Sequence, residues 1–290
     1  MKIGLAIAPA KASPLAFVVF REDLKVSIKK VSQLGYDGIE LALKDAREVN
    51  VAEIKDLISA YGLELPVIST GRVFSEARVW FTHPNEKVRR GAINTIKRMA
   101  ELAEQLGANV NIGRVRGYIP ENEDKVAVRE RFFSAMSECA DFASEHGVKL
   151  LLEPINRYET NFINNVAEGL EILHRLDKEN VKLMPDVFHM NIEDASITDS
   201  LREAGDSISY IHFADSNRWA PGQGHLNFSE IIGVLKSIPY DGFVTVEMLP
   251  KPDPDSAARM AIDYLRKIIR ELPLSGVSKE NIMDKGEKNE

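Results

Sequence analysis

Short apolar runs alternate with longer stretches whose apolar residues recur every three or four positions, from one end of the chain to the other. The short runs read as strands over 3–7, 38–41, 65–69, 109–112, 149–153, 181–186, 207–214 and 243–247. Continuous apolar stretches of that length suit parallel strands covered on both faces. The periodic stretches predict amphipathic helices over 24–34, 51–61, 86–106, 125–146, 167–176, 228–237 and 255–271, with only 199–204 weakly patterned. Regular strand–helix alternation predicts a parallel sheet with right-handed crossovers. Eight such units predict an α/β fold, a (β/α)8 TIM barrel, as one domain over 1–274 with a polar tail over 275–290.

Local signals agree with these boundaries. Pro84 suits a first helical turn, Gly107 a helix stop, and Asn165 with Glu168 a capping pair. Phe132, Phe133, Met136, Cys139, Ala140 and Ala143 fall on one helical face, so Cys139 reads as a small core residue. Two connections are long, 8–21 and 70–82, and both follow strands. The second carries Phe74, Trp80 and Phe81, which read either as an apolar lid over a ligand or as a loop folded on its own aromatics.

Composition narrows the function classes. Hydrophobic residues at 44% and charged residues at 28% support a large core. Acidic residues outnumber basic ones, 44 to 37, for a net charge of -7, and no basic stripe is present to meet nucleic acid. With Cys139 the one cysteine, an intramolecular disulfide and a cysteine-built zinc site are both excluded. No apolar run reaches the roughly 20 residues of a membrane helix, and the opening MKIGLAIAPA reads as a strand rather than a secretory signal, so a cytoplasmic location is expected.

A barrel gathers its chemistry at the carboxyl ends of its strands. The fifth strand ends in Glu153, the sixth in Asp186, the seventh carries His212 with Asp215 just beyond, and the eighth ends in Glu247. Carboxylates closing apolar strands are costly to bury alone and repel one another. A divalent cation resolves both problems, and three carboxylates with one imidazole form an oxygen-rich set favouring Mn2+, with Mg2+ or Co2+ as alternatives. Each residue taken singly also fits a helix cap or a surface charge. The succession on four strands points to metal. His189, Glu159 and Arg218 lie near the same rim, whereas His83, His146 and His174 fall in helical or pre-helical contexts.

The runs LLEPINRYETNFIN, MPDVFHMN, IHFADSNRWAPGQGHLNF and FVTVEML, in that order, give the second half a recognisable character. The chain resembles the sugar isomerase/epimerase family built on the xylose-isomerase-like barrel. That family includes D-tagatose and D-psicose 3-epimerases, hydroxypyruvate isomerase, L-ribulose-5-phosphate 3-epimerase and keto-sugar-acid epimerases. The resemblance implies metal ligation by Glu153, Asp186, His212 and Glu247, with Glu153 and Glu247 doubling as the acid/base pair. It further implies that Glu159, His189 and Arg218 hold substrate oxygens, and that the chain assembles as a dimer or tetramer. The expected reaction is epimerisation beside the ketone of a keto-sugar or keto-sugar acid. Aldose–ketose isomerisation, sugar-phosphate 3-epimerisation and non-catalytic sugar binding are its alternatives. The barrel also hosts apurinic endonucleases, but a three-metal cluster needs histidines where the third and fourth strands here end VISTGR and NIGRVR. One departure stands out. Arg114 and Arg116 close the fourth strand, and alternation turns one of them inward. An inward Arg116 predicts an anionic substrate, and an outward one a salt bridge.

Overall fold

The computed structural model describes residues 1–13 and 17–272. The expected tail over 275–290 lies outside the described residues. Strands β1 (Lys2–Pro9), β3 (Gly38–Ala42), β4 (Glu64–Ser69), β5 (Asn109–Ile112), β6 (Leu150–Leu152), β7 (Val181–Leu183), β8 (Ile211–Phe213) and β9 (Phe243–Val246) form the barrel. A short β2 (Phe20–Glu22) inside the first long connection pairs alongside β1. All pairings are parallel, in the order β7-β6-β5-β4-β3-β1-β9-β8. The ring closes between β7 and β8 through two isolated bridges, Leu183 with Ile208 and Asp186 with His212. This is the expected (β/α)8 barrel.

The outer ring comprises α1 (Leu24–Leu34), α2 (Val51–Tyr61), α3 (Glu86–Leu106), α4 (Lys125–Glu145), α5 (Val166–Leu176), α6 (Val187–Glu193), α7 (Ile197–Ala204), α8 (Phe228–Ser237) and α9 (Pro254–Glu271). Side-chain caps start most of them. Asn165 accepts from the amide of Glu168, as its spacing predicts, and Asp253 caps the proline-led α9. Three elements differ from expectation, one being the seventh strand, expected over 207–214 and confined to Ile211–Phe213. The weakly patterned segment is a full helix, α7, held by Ser196 as its cap and by buried Leu201 and Ala204. The sixth strand stops at Leu183 because Asp186 accepts from the Phe188 amide and opens α6.

Strand period two explains how the core and the site arise from the same strands. Outward residues such as Leu150, Leu152, Ile211, Phe213, Val244 and Val246 pack against the helices, where Cys139 is also buried. Inward residues Val67, Leu151, Met184, Tyr210 and Phe243 form an apolar floor within the barrel. Two residues further along the strands, the inward positions become Glu153, Asp186, His212 and Thr245, and the next inward residue after Thr245 is Glu247. The floor therefore sets the depth at which the polar side chains begin.

Candidate metal centre

Glu153, Asp186, His212 and Glu247 each offer one ligand atom, and these four atoms lie within 4.8 Å of one another. His212 Nδ1 stands between the two glutamates, 3.5 Å from Glu153 Oε1 and 3.8 Å from Glu247 Oε2. Its other nitrogen, Nε2, is 2.7 Å from Oε2 of Glu40 on β3, which turns Nδ1 toward the cluster. Asn111 on β5 donates to Glu153 Oε2 at 2.9 Å and fixes that carboxylate's second oxygen. Gly113 is required beside it, since a Cβ there would stand 2.8 Å from Glu153 Oε2.

The donor set fits a cation on evidence internal to the cluster. Asp186 Oδ2 and His212 Nδ1 are buried without a hydrogen-bond partner, an arrangement that costs about 1–3 kcal/mol for each group left so. Both atoms belong to the shared focus, where a divalent ion would satisfy them together. Burial pushes the Asp186 carboxyl up to about 6 and that of Glu247 up to about 8. Each is expensive as an anion in this environment unless positive charge lies close. His212 is held in the opposite sense, raised well above its ordinary value by Glu40 and Glu247 against the opposing effect of burial.

Arg218 and His189 complete one wall. The guanidinium of Arg218 is sandwiched between the rings of Phe17 and Phe188, at 4.1 and 4.6 Å from their centroids. Its Nη2 donates to Glu247 Oε2 and lies 3.4 Å from Asp186 Oδ2. The residue sits at φ 59°, a left-handed conformation that costs a non-glycine residue about 1–3 kcal/mol. The surrounding loop imposes it: the Arg218 amide donates to Asp215 O at 2.7 Å, and its carbonyl accepts from the Leu249 amide at 2.8 Å. Asp215 is thereby a loop organiser, its carboxylate accepting from the amides of Ser216, Gly222 and Leu226. His189 Nε2 is 3.6 Å from Asp186 Oδ2, and its Nδ1 pairs with the Asn156 amide at 2.7 Å. Burial and the Arg218 charge keep that imidazole neutral, well below its ordinary value.

Glu153, Glu247, His189 and Arg218 line a cavity of about 70 Å³ with Glu159, Arg114, Arg72, Ser69, Asn111 and Phe17. The structure thus gathers Glu153, Asp186, His212, Glu247, Glu159, His189 and Arg218. It does not bring Arg116 with them. Arg116 is fully buried in the barrel wall, donating to the carbonyls of Gly113, Glu153, Phe162 and Ile163 at 2.8–3.0 Å. Strand alternation fails there because β5 ends at Ile112 and a 3-10 turn spans Arg114–Arg116. The turn sends Arg114 to the cavity and Arg116 beneath it, so Arg116 is a scaffold for the Glu153 backbone and has no face for a substrate. The aromatics of the second long connection resolve in favour of mutual packing. Phe74, Trp80 and Tyr118 form a cluster with centroids 5.3–6.5 Å apart, and Phe81 is buried. Glu40 and Asn111 carried a fainter signal: Glu40 is the one polar side chain of β3, and Asn111 alternates with apolar Val110 and Ile112 on β5.

Comparison with known proteins shows the family and the fold. The family described as "Xylose isomerase-like TIM barrel" matches residues 28–268. A D-psicose 3-epimerase of Agrobacterium fabrum is 31% identical over 228 residues, covering 77% of this chain and 78% of that protein. A 3-dehydro-D-guloside 4-epimerase of Escherichia coli is 27% identical over 258 residues, 85% of this chain and 95% of its own. Among solved structures, D-psicose 3-epimerase with D-tagatose from Clostridium cellulolyticum superposes with a TM-score of 0.80 at 27% identity. That match covers 93% of this chain and 99% of the other.

Proposed function

We propose, for a chain that belongs to the xylose isomerase-like TIM barrel family, that it is a divalent-metal-dependent epimerase acting on the carbon next to the ketone of a keto-sugar. Relatives named as sugar epimerases support an enzyme of the isomerase class. The observation that carries the reading is the placement of Glu153 and Glu247. They project from the ends of β6 and β9, two strands of the rim with β7 and β8 between them, and lie 3.5 and 3.8 Å from His212 Nδ1.

Inverting a carbon beside a ketone requires a proton to leave one face and another to arrive on the opposite face. Two carboxylates across a substrate perform this, one accepting the carbon-bound proton as the other, protonated, donates to the far side. Proton count is conserved: the first carboxylate leaves the step protonated and the second ionised. Glu153, whose carboxylate accepts from Asn111, and Glu247, whose carboxylate accepts from Arg218, are the two carboxylates placed for this exchange. A divalent ion held by Glu153, Asp186, His212 and Glu247, Mn2+ foremost with Mg2+ or Co2+ as substitutes, would polarise the ketone and offset the negative charge of an enediolate. Around it, His189, Arg218 and Glu159 would hold the substrate's oxygens, the buried Arg218 being fixed on both ring faces.

The test is proton NMR in D2O over a panel of ketoses with each of the three metals. Solvent deuterium entering at the carbon beside the ketone, with formation of the epimer, is the expected result. Absence of exchange on every ketose with every metal would refute the proposal.

A further inference from the structure

Three arginines line the cavity, and their guanidinium groups are in different states. Arg72 is saturated, donating to Glu48, Glu76 and the Ala42 carbonyl. Arg218 is committed through Nη2 to Glu247 and Asp186, with its Nε buried and unpartnered. Arg114 donates no hydrogen bond from its side chain among the described residues. Its Nε is buried and unpartnered, and its nearest carboxylate oxygen, Glu159 Oε2, is 3.9 Å away, beyond hydrogen-bond reach. One face of its guanidinium is covered by the Phe74 ring, 4.7 Å from the centroid, which fixes the plane and leaves the edges for a ligand.

Resting on the epimerase reading above, we infer that Arg114 selects a ketose whose carbon chain ends in an oxyanion, and that this oxyanion is a carboxylate. The hydroxyls of a neutral ketose call for acceptors as well as donors, which Glu159, Asn111 and Ser69 along the same wall supply. A guanidinium offers donors only, in a fork shaped for two anionic oxygens. Arg114 also lines the same cavity as Glu153 and Glu247, where a substrate held at the metal would lie. Arg114 follows Gly113, whose backbone passes directly beside Glu153, and the 3-10 turn carries the side chain outward along the cavity wall to an exposure of 34%. Charge balance favours carboxylate over phosphate. Glu159, 3.9 Å from the guanidinium, already offsets part of its charge, so the single charge of a carboxylate leaves less surplus anion beside it than a phosphate dianion would.

The test compares kcat/KM of the metal-loaded enzyme for three ketoses matched in chain length, ending in a hydroxymethyl, a carboxylate or a phosphate group. Arg114→Met and Arg114→Gln are run in parallel, with a thermal melt to confirm folding. The wild type should prefer the carboxylate, and both variants should lower the carboxylate-to-neutral ratio by about 10- to 100-fold, the range for one hydrogen bond to a charged group. The loss should appear mainly in KM, since the contact would serve binding and takes no part in proton transfer. A wild type that prefers the neutral ketose, or variants that leave the ratio unchanged, would overturn the inference while leaving the epimerase reading intact. A preference for phosphate that Arg114→Met removes would keep the oxyanion site and overturn the carboxylate assignment. Failure of all three ketoses to exchange solvent deuterium would instead sink the epimerase reading and this inference with it.

Discussion

Glu40 is wholly buried inside the barrel, with Oε2 on His212 Nε2 and Oε1 without a partner. Its evident task is to set which imidazole nitrogen faces the cluster, and carboxylates in this position raise the basicity and fix the orientation of a metal-binding histidine. Glu40→Gln should therefore weaken Mn2+ binding about 10- to 100-fold, read by calorimetric titration. Unaltered affinity would show that packing alone orients His212. Glu247→Gln tests the proton relay itself and should cut epimerisation about 10²- to 10⁴-fold, followed by NMR in D2O, with metal analysis separating lost chemistry from lost metal. At this scale much of the site was legible. Glu153, Asp186, His212 and Glu247 stood out because each breaks an apolar strand at its carboxyl end, where water or a ligand must answer the charge. Glu40 hid in the middle of GIELA, where its partner, His212, is 172 residues away. The choice between Arg114 and Arg116 was out of reach because it depends on a turn replacing the strand after Ile112, and the two residue types are identical.

Helices and strands bounded by periodicity and caps were readable to within a residue or two, α3 from Glu86 to Leu106 and β5 from Asn109 to Ile112 among them. The connections were not, since their order comes from long-range polar contacts that no local pattern records. Arg72, just after β4, shows how such a connection is held. It is 2% exposed and bridges Glu48 in the turn after β3 to Glu76 in the π-helical turn Val73–Ala77, while Glu76 also accepts from the Ser13 amide in the first long connection. Arg72→Met would strand two mostly buried carboxylates. The expected loss is about 3 kcal/mol, the lower end for breaking a buried pair, because Lys44 remains 3.7 and 3.9 Å from them. Arg72 holds the Glu76 carboxyl below its ordinary value. A depressed carboxyl contributes fully above its unfolded value of about 4.3 and loses that contribution as the pH falls through the folded one. The stability gap between wild type and Arg72→Met, measured by urea unfolding, should thus be widest near neutrality and narrow below about pH 4. A gap independent of pH would show that the loss comes from packing.

For the whole molecule, the cluster lies on the barrel's thinnest join. Seven of the eight junctions between barrel strands are parallel ladders, one of them, β3–β4, with a register shift between Gly38 and Glu40, while β7 meets β8 only through isolated bridges at Leu183–Ile208 and Asp186–His212. Two backbone bonds mark the join, Ser209 N to Leu183 O at 3.0 Å and His212 N to Pro185 O at 2.9 Å. Asp186 and His212 are at once the two sides of this seam and two of the four ligand-bearing residues. A cation between them would replace mutual repulsion among Glu153, Asp186 and Glu247 with a cross-link over the place where the ring is least bonded. Binding to the folded state alone stabilises by mass action, about 2.7 kcal/mol at a hundredfold excess over Kd, so saturating metal should raise the melting temperature by about 5 °C and a chelator should reverse it. The seam makes a sharper demand, because local openings are cheapest where few bonds must break. Hydrogen exchange should show metal protecting the amides of Ser209 and His212 more than those of β1 and β3, whose ladder is continuous. Equal protection all round the barrel would mean that the ion stabilises the fold only globally, with no special hold on the β7–β8 join.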